Sequence, residues 1–335
     1  MSAGRPRVWV TQPVFPDIVA RLESDFDVVQ AREVTRYTPA GIAAGLREAD
    51  GALVSVADRV DAAAIAGATR LKAVANVGVG YDNLDVAALS AAGIVATNTP
   101  DVLTETTADF AWALLLAAAR RVTEAERWLR DGHWNDWSFD RLLGRDVHGA
   151  TLGILGMGRI GRAVARRARG FAMTVLYHNR SRLPEAVERE TGARYVDKDA
   201  LLAGSDHLVL ALPYGADSRH AIGAAELARM KPTATLVNVA RGGVVDDAAL
   251  ADALANGRLA AAGLDVYENE PVVPPALLAC RNVVLAPHIA SASTATRRAM
   301  VALAVDNLAA ALGVGAHAGH PPNAINAEAA SARRR

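Results

Sequence analysis

Short apolar runs separated by helical spacings recur along the whole chain. Arg7-Val8-Trp9-Val10-Thr11 reads as a first strand, residues 15–23 as a helix and Asp27-Val28-Val29-Gln30 as a strand. Thr38-Pro39 has the cap-then-proline signature of a helix start. Gly51-Ala52-Leu53-Val54-Ser55 and Leu71-Lys72-Ala73-Val74-Ala75 are further buried strands, and Asp61 caps a small helix between them. Residues 104–130 read as one long helix or two in tandem, apolar nearly all round at Phe110, Trp112, Leu114, Leu115 and Leu116. A helix of that length suits an element crossing between domains. After it, strands are expected at 151–155, 173–177, 206–212, 235–240, 260–265 and 282–286, and a last helix capped within Ser291-Ala292-Ser293-Thr294. Alternating β and α elements imply parallel, doubly wound sheets with ligand crevices at the strand ends.

One strand end is distinctive. Thr151-Leu152-Gly153-Ile154-Leu155 runs into Gly156-Met157-Gly158-Arg159-Ile160-Gly161, then a helix, then a second strand. This is G-x-G-x-x-G in the βαβ frame that a dinucleotide site requires. Gly156 permits the tight turn, Gly158 lets backbone approach a pyrophosphate, and Gly161 lets helix and strand pack closely. The helix start then offers N–H groups and a positive dipole end to phosphate. An NAD site would place an acid at the end of the second strand. Here that point reads His178-Asn179-Arg180-Ser181-Arg182. Two arginines with Asn179 and Ser181 suit a 2′-phosphate, so NADP is the expected coenzyme. A carboxylate brought in from elsewhere in the fold would restore NAD use.

Composition narrows the class. The 335 residues have a formal net charge of zero, which points to neither a nucleic-acid nor a membrane partner. The single cysteine, Cys280, precludes an intramolecular disulfide and fits a reducing compartment. The polar start, Met1-Ser2-Ala3-Gly4-Arg5-Pro6-Arg7, does not read as a signal peptide, so a cytoplasmic location is expected. Scattered histidines give no metal set, and no G-x-S-x-G elbow is present. Trp134, Trp137 and Phe139 cluster in a chain only 5% aromatic, and read as an anchor for another surface or as internal packing.

Three ionisable residues fall just past strand ends in the second half: Arg241, Glu270 and His288. Together they fit hydride transfer between a nicotinamide and a 2-oxo or 2-hydroxy acid. Imidazole titrates near working pH and is the natural proton donor. Glu270 would fix the tautomer of His288, and Arg241 would clamp the substrate carboxylate. Val54-Ser55-Val56 and Asn76-Val77-Gly78-Val79-Gly80-Tyr81-Asp82 are candidate binding loops, and Gly78 and Gly80 free the backbone to approach a small anion. Val54, Ser55 and Trp137 are the side chains on which substrate choice is expected to turn. The remaining strand ends place Leu212, Pro213, Val239, Ala240 and Ala290 beside the coenzyme.

These motifs resemble the D-isomer-specific 2-hydroxyacid dehydrogenases, in particular the glyoxylate/hydroxypyruvate reductase branch. The resemblance rests on the 76–83 loop, the glycine turn, Asn238-Val239-Ala240-Arg241-Gly242-Gly243, Gly263-Leu264-Asp265-Val266-Tyr267-Glu268-Asn269-Glu270-Pro271 and Ala286-Pro287-His288-Ile289-Ala290-Ser291. It implies catalysis by Arg241, Glu270 and His288, backbone contacts from Val77 and Gly78 to the substrate carboxylate, and coenzyme contacts from Thr107 and Asp265. It implies an α/β fold of two doubly wound parallel-sheet domains with the cleft between them. One is a flavodoxin-like substrate domain (1–101 with 290–335), the other a Rossmann-type cofactor domain (102–289). It also implies a homodimer joined through the cofactor domains, with the 134–139 stretch reaching toward the partner. Another 2-oxo-acid reductase of the family and a cofactor-sensing corepressor on the same fold are the alternatives.

Overall fold

The computed structural model describes residues 5–332; most of the polar start (1–4) and the end of the tail (333–335) lie outside the described residues. The chain forms two compact units, Met1–Leu103 with Ser293–Arg335, and Thr104–Ala292. The crossings fall at 103/104 and 292/293, against the expected 101/102 and 289/290.

In the first unit, β1 (Arg7–Val10), β2 (Asp27–Gln30), β3 (Gly51–Ser55), β4 (Ala73–Val77) and β5 (Val95–Thr97) form one sheet in the order β2-β1-β3-β4-β5. Every pairing is parallel. This is the flavodoxin-like order. Polar caps start the helices where the sequence places them: Thr38 accepts from Gly41 N–H at 3.1 Å, and Asp61 from Ala64 N–H at 3.0 Å. Ser293 caps the helix Thr294–Ala311 by accepting from Thr296 N–H. That helix buries Val301, Ala304, Val305 and Leu308 among Val8, Val10, Leu53 and Ala75, which returns the C-terminal segment to the first sheet.

The second unit holds β6 (Thr151–Leu155), β7 (Thr174–His178), β8 (Ala193–Tyr195), β9 (His207–Leu210), β10 (Thr235–Asn238), β11 (Ala261–Leu264) and β12 (Val283–Leu285). Their order is β12-β11-β10-β9-β6-β7-β8, again all parallel. Counted from β6 this is the Rossmann order, with the switch point between β6 and β9. The strands stop short of several expected ends. Residues 211–213, 239–241, Asp265 and 286–288 are loops beyond the sheet, where side chains are released from strand pairing.

Of the two alternatives, one long helix or two in tandem, the structure shows the second: Thr104–Ala119 and Val122–Arg130, parted where Arg121 turns left-handed at φ 54°. Both lie within the second unit, so the expected domain crossing is not made by a helix. The first is buried through Ala108, Ala111, Trp112, Leu114 and Leu115. It lies hard on β11: a Cβ on Gly263 would come within 2.9 Å of Leu114 Cβ. The second has no buried residue and leads into a segment with Trp134, Trp137 and Phe139 exposed. Leu115 is fully buried among Leu152, Ile154 and Val164. Leu115→Ala is expected to lower unfolding stability by about 2–5 kcal/mol in urea denaturation; a loss well under 1 kcal/mol would place Leu115 outside the core.

Candidate active site

The glycine turn has the geometry its spacing implies. Gly156 sits at φ 100°, a region closed to most side chains. A Cβ there would also lie 2.7 Å from the Ala211 and Leu212 backbone, so β6 and β9 leave the sheet in contact. A Cβ on Gly161 would collide with the Gly156 carbonyl, so only glycine lets the helix Arg159–Ala168 sit on the turn. Gly158, the N-cap, makes no side-chain cap and has nothing within 4 Å of where a Cβ would stand. An open approach, a positive helix end and uncapped N–H groups fit a pyrophosphate.

Two residues of this turn, Met157 and Ile160, send their side chains into the core. The Met157 side chain is buried in the core, and its N–H donates to Asn179 Oδ1 at 2.7 Å. Asn179 therefore fastens the end of β7 to the glycine turn, and its carbonyl oxygen is committed there. Ile160 packs against the same core, while Arg159 opens the helix exposed to solvent.

The ribose corner also needs correction. Arg182 does not stand beside Arg180 as a second phosphate ligand. It makes a bidentate pair with Glu188, Nε to Oε1 at 2.9 Å and Nη2 to Oε2 at 2.8 Å. Tyr177 Oη donates to the same carboxylate at 2.7 Å. These hydrogen bonds, Arg182 first, bring the Glu188 pKa down to about 2. Sequence spacing could not reveal this, because Glu188 arrives from the following helix. Arg180 and Ser181 remain exposed at the end of β7.

At the other end of the strand row, three loops carry the candidate catalytic groups. Arg241 follows β10, and Asn238 holds its loop: Nδ2 donates to Arg241 O at 2.9 Å and Oδ1 accepts from Ala240 N–H at 3.0 Å. Val239 and Ala240 are nearly buried on the way. Arg241 Nη1 donates to Ala240 O at 2.9 Å. A Cβ on Gly242 would overlap the Tyr267 carbonyl group, and one on Gly243 would press on the Tyr214 ring. The two glycines thus let the loops after β10, β11 and β9 close on one another.

Glu270 lies on the β11 loop. Its Oε1 accepts from Tyr267 N–H at 3.0 Å, and its Oε2 lies 2.7 Å from His288 Nδ1. His288 itself is left-handed, at φ 55°. Such a conformation costs a non-glycine residue about 1–3 kcal/mol and persists only when braced. Asp265 is the brace. Its backbone carbonyl accepts from His288 N–H, and its carboxylate accepts from Ile289 N–H at 2.7 Å and Ala290 N–H at 2.8 Å. Burial pushes the Asp265 carboxyl up, against the pull of those two N–H groups. The expected coenzyme residues Asp265 and Ala290 thus spend these groups on shaping the His288 turn.

Sequence reasoning missed a second set of supports. Glu268 accepts from His220 Nε2 at 2.8 Å, and its N–H donates to the buried Asp247 carboxylate at 3.0 Å. His220 N–H donates to Gly243 O at 2.8 Å. His220 therefore links the loop two residues from Arg241 to the loop two residues from Glu270. Pro213 accepts from Ser218 Oγ, and Leu212 packs on the core.

In the first unit, Val54 is a core side chain, 1% exposed, and so is corrected as a selector of substrate. Ser55 N–H and Oγ both donate to Asp58 Oδ2 at 2.8 Å. Asn76 Nδ2 donates to Gly80 O at 2.8 Å and shapes the loop of Val77 and Gly78. Thr107 is buried in the first turn of its helix. Trp137 is 71% exposed and meets Phe139 edge-on.

The chain is similar to known proteins over nearly its whole length. Residues 112–290 match the D-isomer specific 2-hydroxyacid dehydrogenase, NAD binding domain. A glyoxylate reductase of Thermococcus kodakarensis is 45% identical, over 98% of this chain and 99% of its own. The crystal structure of an NADPH-dependent glyoxylate/hydroxypyruvate reductase from Sinorhizobium meliloti, in complex with NADP and malonate, superposes with a TM-score of 0.84. It is 40% identical and covers 97% of this chain and 98% of that one. A glyoxylate reductase from Paecilomyes thermophila superposes with a TM-score of 0.85, at 36% identity, over 97% of this chain and all of that one. The two sheets, the glycine turn and this likeness across nearly the whole chain make the protein a member of the D-isomer-specific 2-hydroxyacid dehydrogenase family, an NAD(P)-dependent oxidoreductase.

Proposed function

We propose that the protein reduces small 2-oxo acids, glyoxylate and hydroxypyruvate, to 2-hydroxy acids of the D series, with NADPH as its preferred coenzyme and NADH as a second. The observation that carries this reading is the 2.7 Å contact between His288 and Glu270, in the strand-end row that also bears Arg241 and the glycine turn. The curated and solved relatives named above supply the substrate class.

Bound reduced nicotinamide supplies a hydride to the carbonyl carbon. The chain's own groups do the rest. The uncapped helix start behind Gly158 holds the pyrophosphate, and Arg180 with Ser181 takes the 2′-phosphate. Arg241 grips the substrate carboxylate through its planar fork and polarises the adjacent carbonyl. With Nδ1 turned to Glu270, the other ring nitrogen of His288 faces the substrate. Nε2 gives its proton to the carbonyl oxygen as that oxygen gains charge. The Glu270 carboxylate, pinned by Tyr267 N–H, sets the tautomer and orientation of the imidazole. We propose a second copy of the chain as partner, seated on the exposed aromatic segment 134–139.

Steady-state turnover of glyoxylate, hydroxypyruvate and pyruvate with each coenzyme tests the reading. The first two should be the better substrates, and NADPH the better donor; preference for pyruvate would place the protein elsewhere in the family. His288→Ala is expected to lower kcat by about 10²- to 10⁴-fold with coenzyme affinity retained; unchanged kcat removes His288 from proton transfer. Arg241→Lys should raise KM and lower kcat together, because a point charge does not reproduce the fork. Unaltered constants would reject the clamp. In sedimentation, the wild type should run as a dimer and the Trp137→Ser/Phe139→Ser double variant as a monomer; a monomeric wild type contradicts the partner assignment.

A further inference from the structure

The ribose corner holds a group that the end of β7 does not supply. Arg180 Nη1 lies 3.6 Å from Asp217 Oδ2. Asp217 belongs to the loop after β9, on the short turn Ala216–Ser218. That turn is tied down: Gly215 N–H donates to Ser218 Oγ at 2.8 Å, and Ser218 Oγ donates to Pro213 O at 3.0 Å. The loop is also anchored at its root, where Gly156 admits the Ala211 and Leu212 backbone. Asp217 is thus held at the corner by its own turn, while its side chain stays 85% exposed and that of Arg180 86%. The neighbouring Arg182 cannot offset the charge of Asp217, since Glu188 already neutralises it.

Two anions would therefore compete for one guanidinium. A 2′-phosphate carries close to two negative charges and, on Arg180, would stand beside the Asp217 carboxylate. A ribose with a free 2′-hydroxyl brings no charge. It leaves the Arg180–Asp217 pair intact and offers a donor that a carboxylate oxygen accepts. The pair is exposed and weak, so it yields to phosphate but taxes it.

We propose that Asp217 sets coenzyme specificity, by drawing Arg180 away from a 2′-phosphate and by accepting a hydrogen bond from a 2′-hydroxyl. The chain then takes NADPH and NADH with a narrower preference than Arg180 alone would give. This rests on the reading of Arg180 as the ribose-corner residue, and the experiment separates the two. Dissociation constants for NADPH and NADH are measured by fluorescence titration, at low and at high salt, for the wild type and the D217N, D217E and R180A variants. D217N should tighten NADPH about three- to fivefold at low salt and leave NADH unchanged or weaker. The gain should shrink at high salt, and D217E should keep the wild-type ratio. Equal changes for both coenzymes, or an unmoved ratio in D217N, overturn the role of Asp217. If R180A lowers NADPH affinity selectively while D217N leaves the ratio alone, only the Asp217 proposal falls. If R180A affects both coenzymes equally, the ribose-corner reading falls and the Asp217 proposal with it.

Discussion

The hydrogen bond between His288 and Glu270 joins two side chains that the sequence keeps 18 residues apart. Its length depends on backbone set far from either side chain. Asp265 bends the 288–290 turn into a left-handed conformation by accepting three N–H groups in a row. Gly242 lets the Arg241 loop lie against Tyr267, three residues from Glu270. Replacing any of these would move the imidazole or the guanidinium without touching either, which is how a small misplacement costs catalysis.

Much of this was legible in the sequence, for physical reasons that differ by element. Buried parallel strands announce themselves as apolar runs, and glycine turns by spacing that only one residue type tolerates. Thr38, Asp61 and Ser293 cap because a hydroxyl or carboxylate before a helical run has an orphan N–H to serve. Two short strands were not read: β5 and β8 are three residues each, with shorter apolar runs than the four residues 283–286 that mark β12. Nor were partners supplied from elsewhere. Glu188 takes Arg182 from the next helix, and Asp217 reaches Arg180 from another strand's loop. The break at Arg121 carries no glycine or proline to mark it, which is why the sequence leaves one helix or two in tandem open.

The two ends of the coenzyme crevice are built differently. At the glycine turn the backbone sets the shape, and the lack of room for a Cβ at Gly156 and Gly161 fixes it. At the proposed ribose corner the groups are exposed charges on two loops, Arg180 and Asp217, whose interaction weakens with salt. A fold can thus keep its pyrophosphate geometry while its coenzyme preference changes.

In the proposed reaction His288 and Arg241 act on the same small 2-oxo acid. A crystal structure with reduced coenzyme and oxamate, a carboxylate beside an amide carbonyl that resists reduction, tests it directly. The account predicts His288 Nε2 within hydrogen-bond distance of the amide carbonyl oxygen and the Arg241 guanidinium on the carboxylate. Oxamate bound with His288 turned away from it, or with Arg241 held elsewhere, would contradict it.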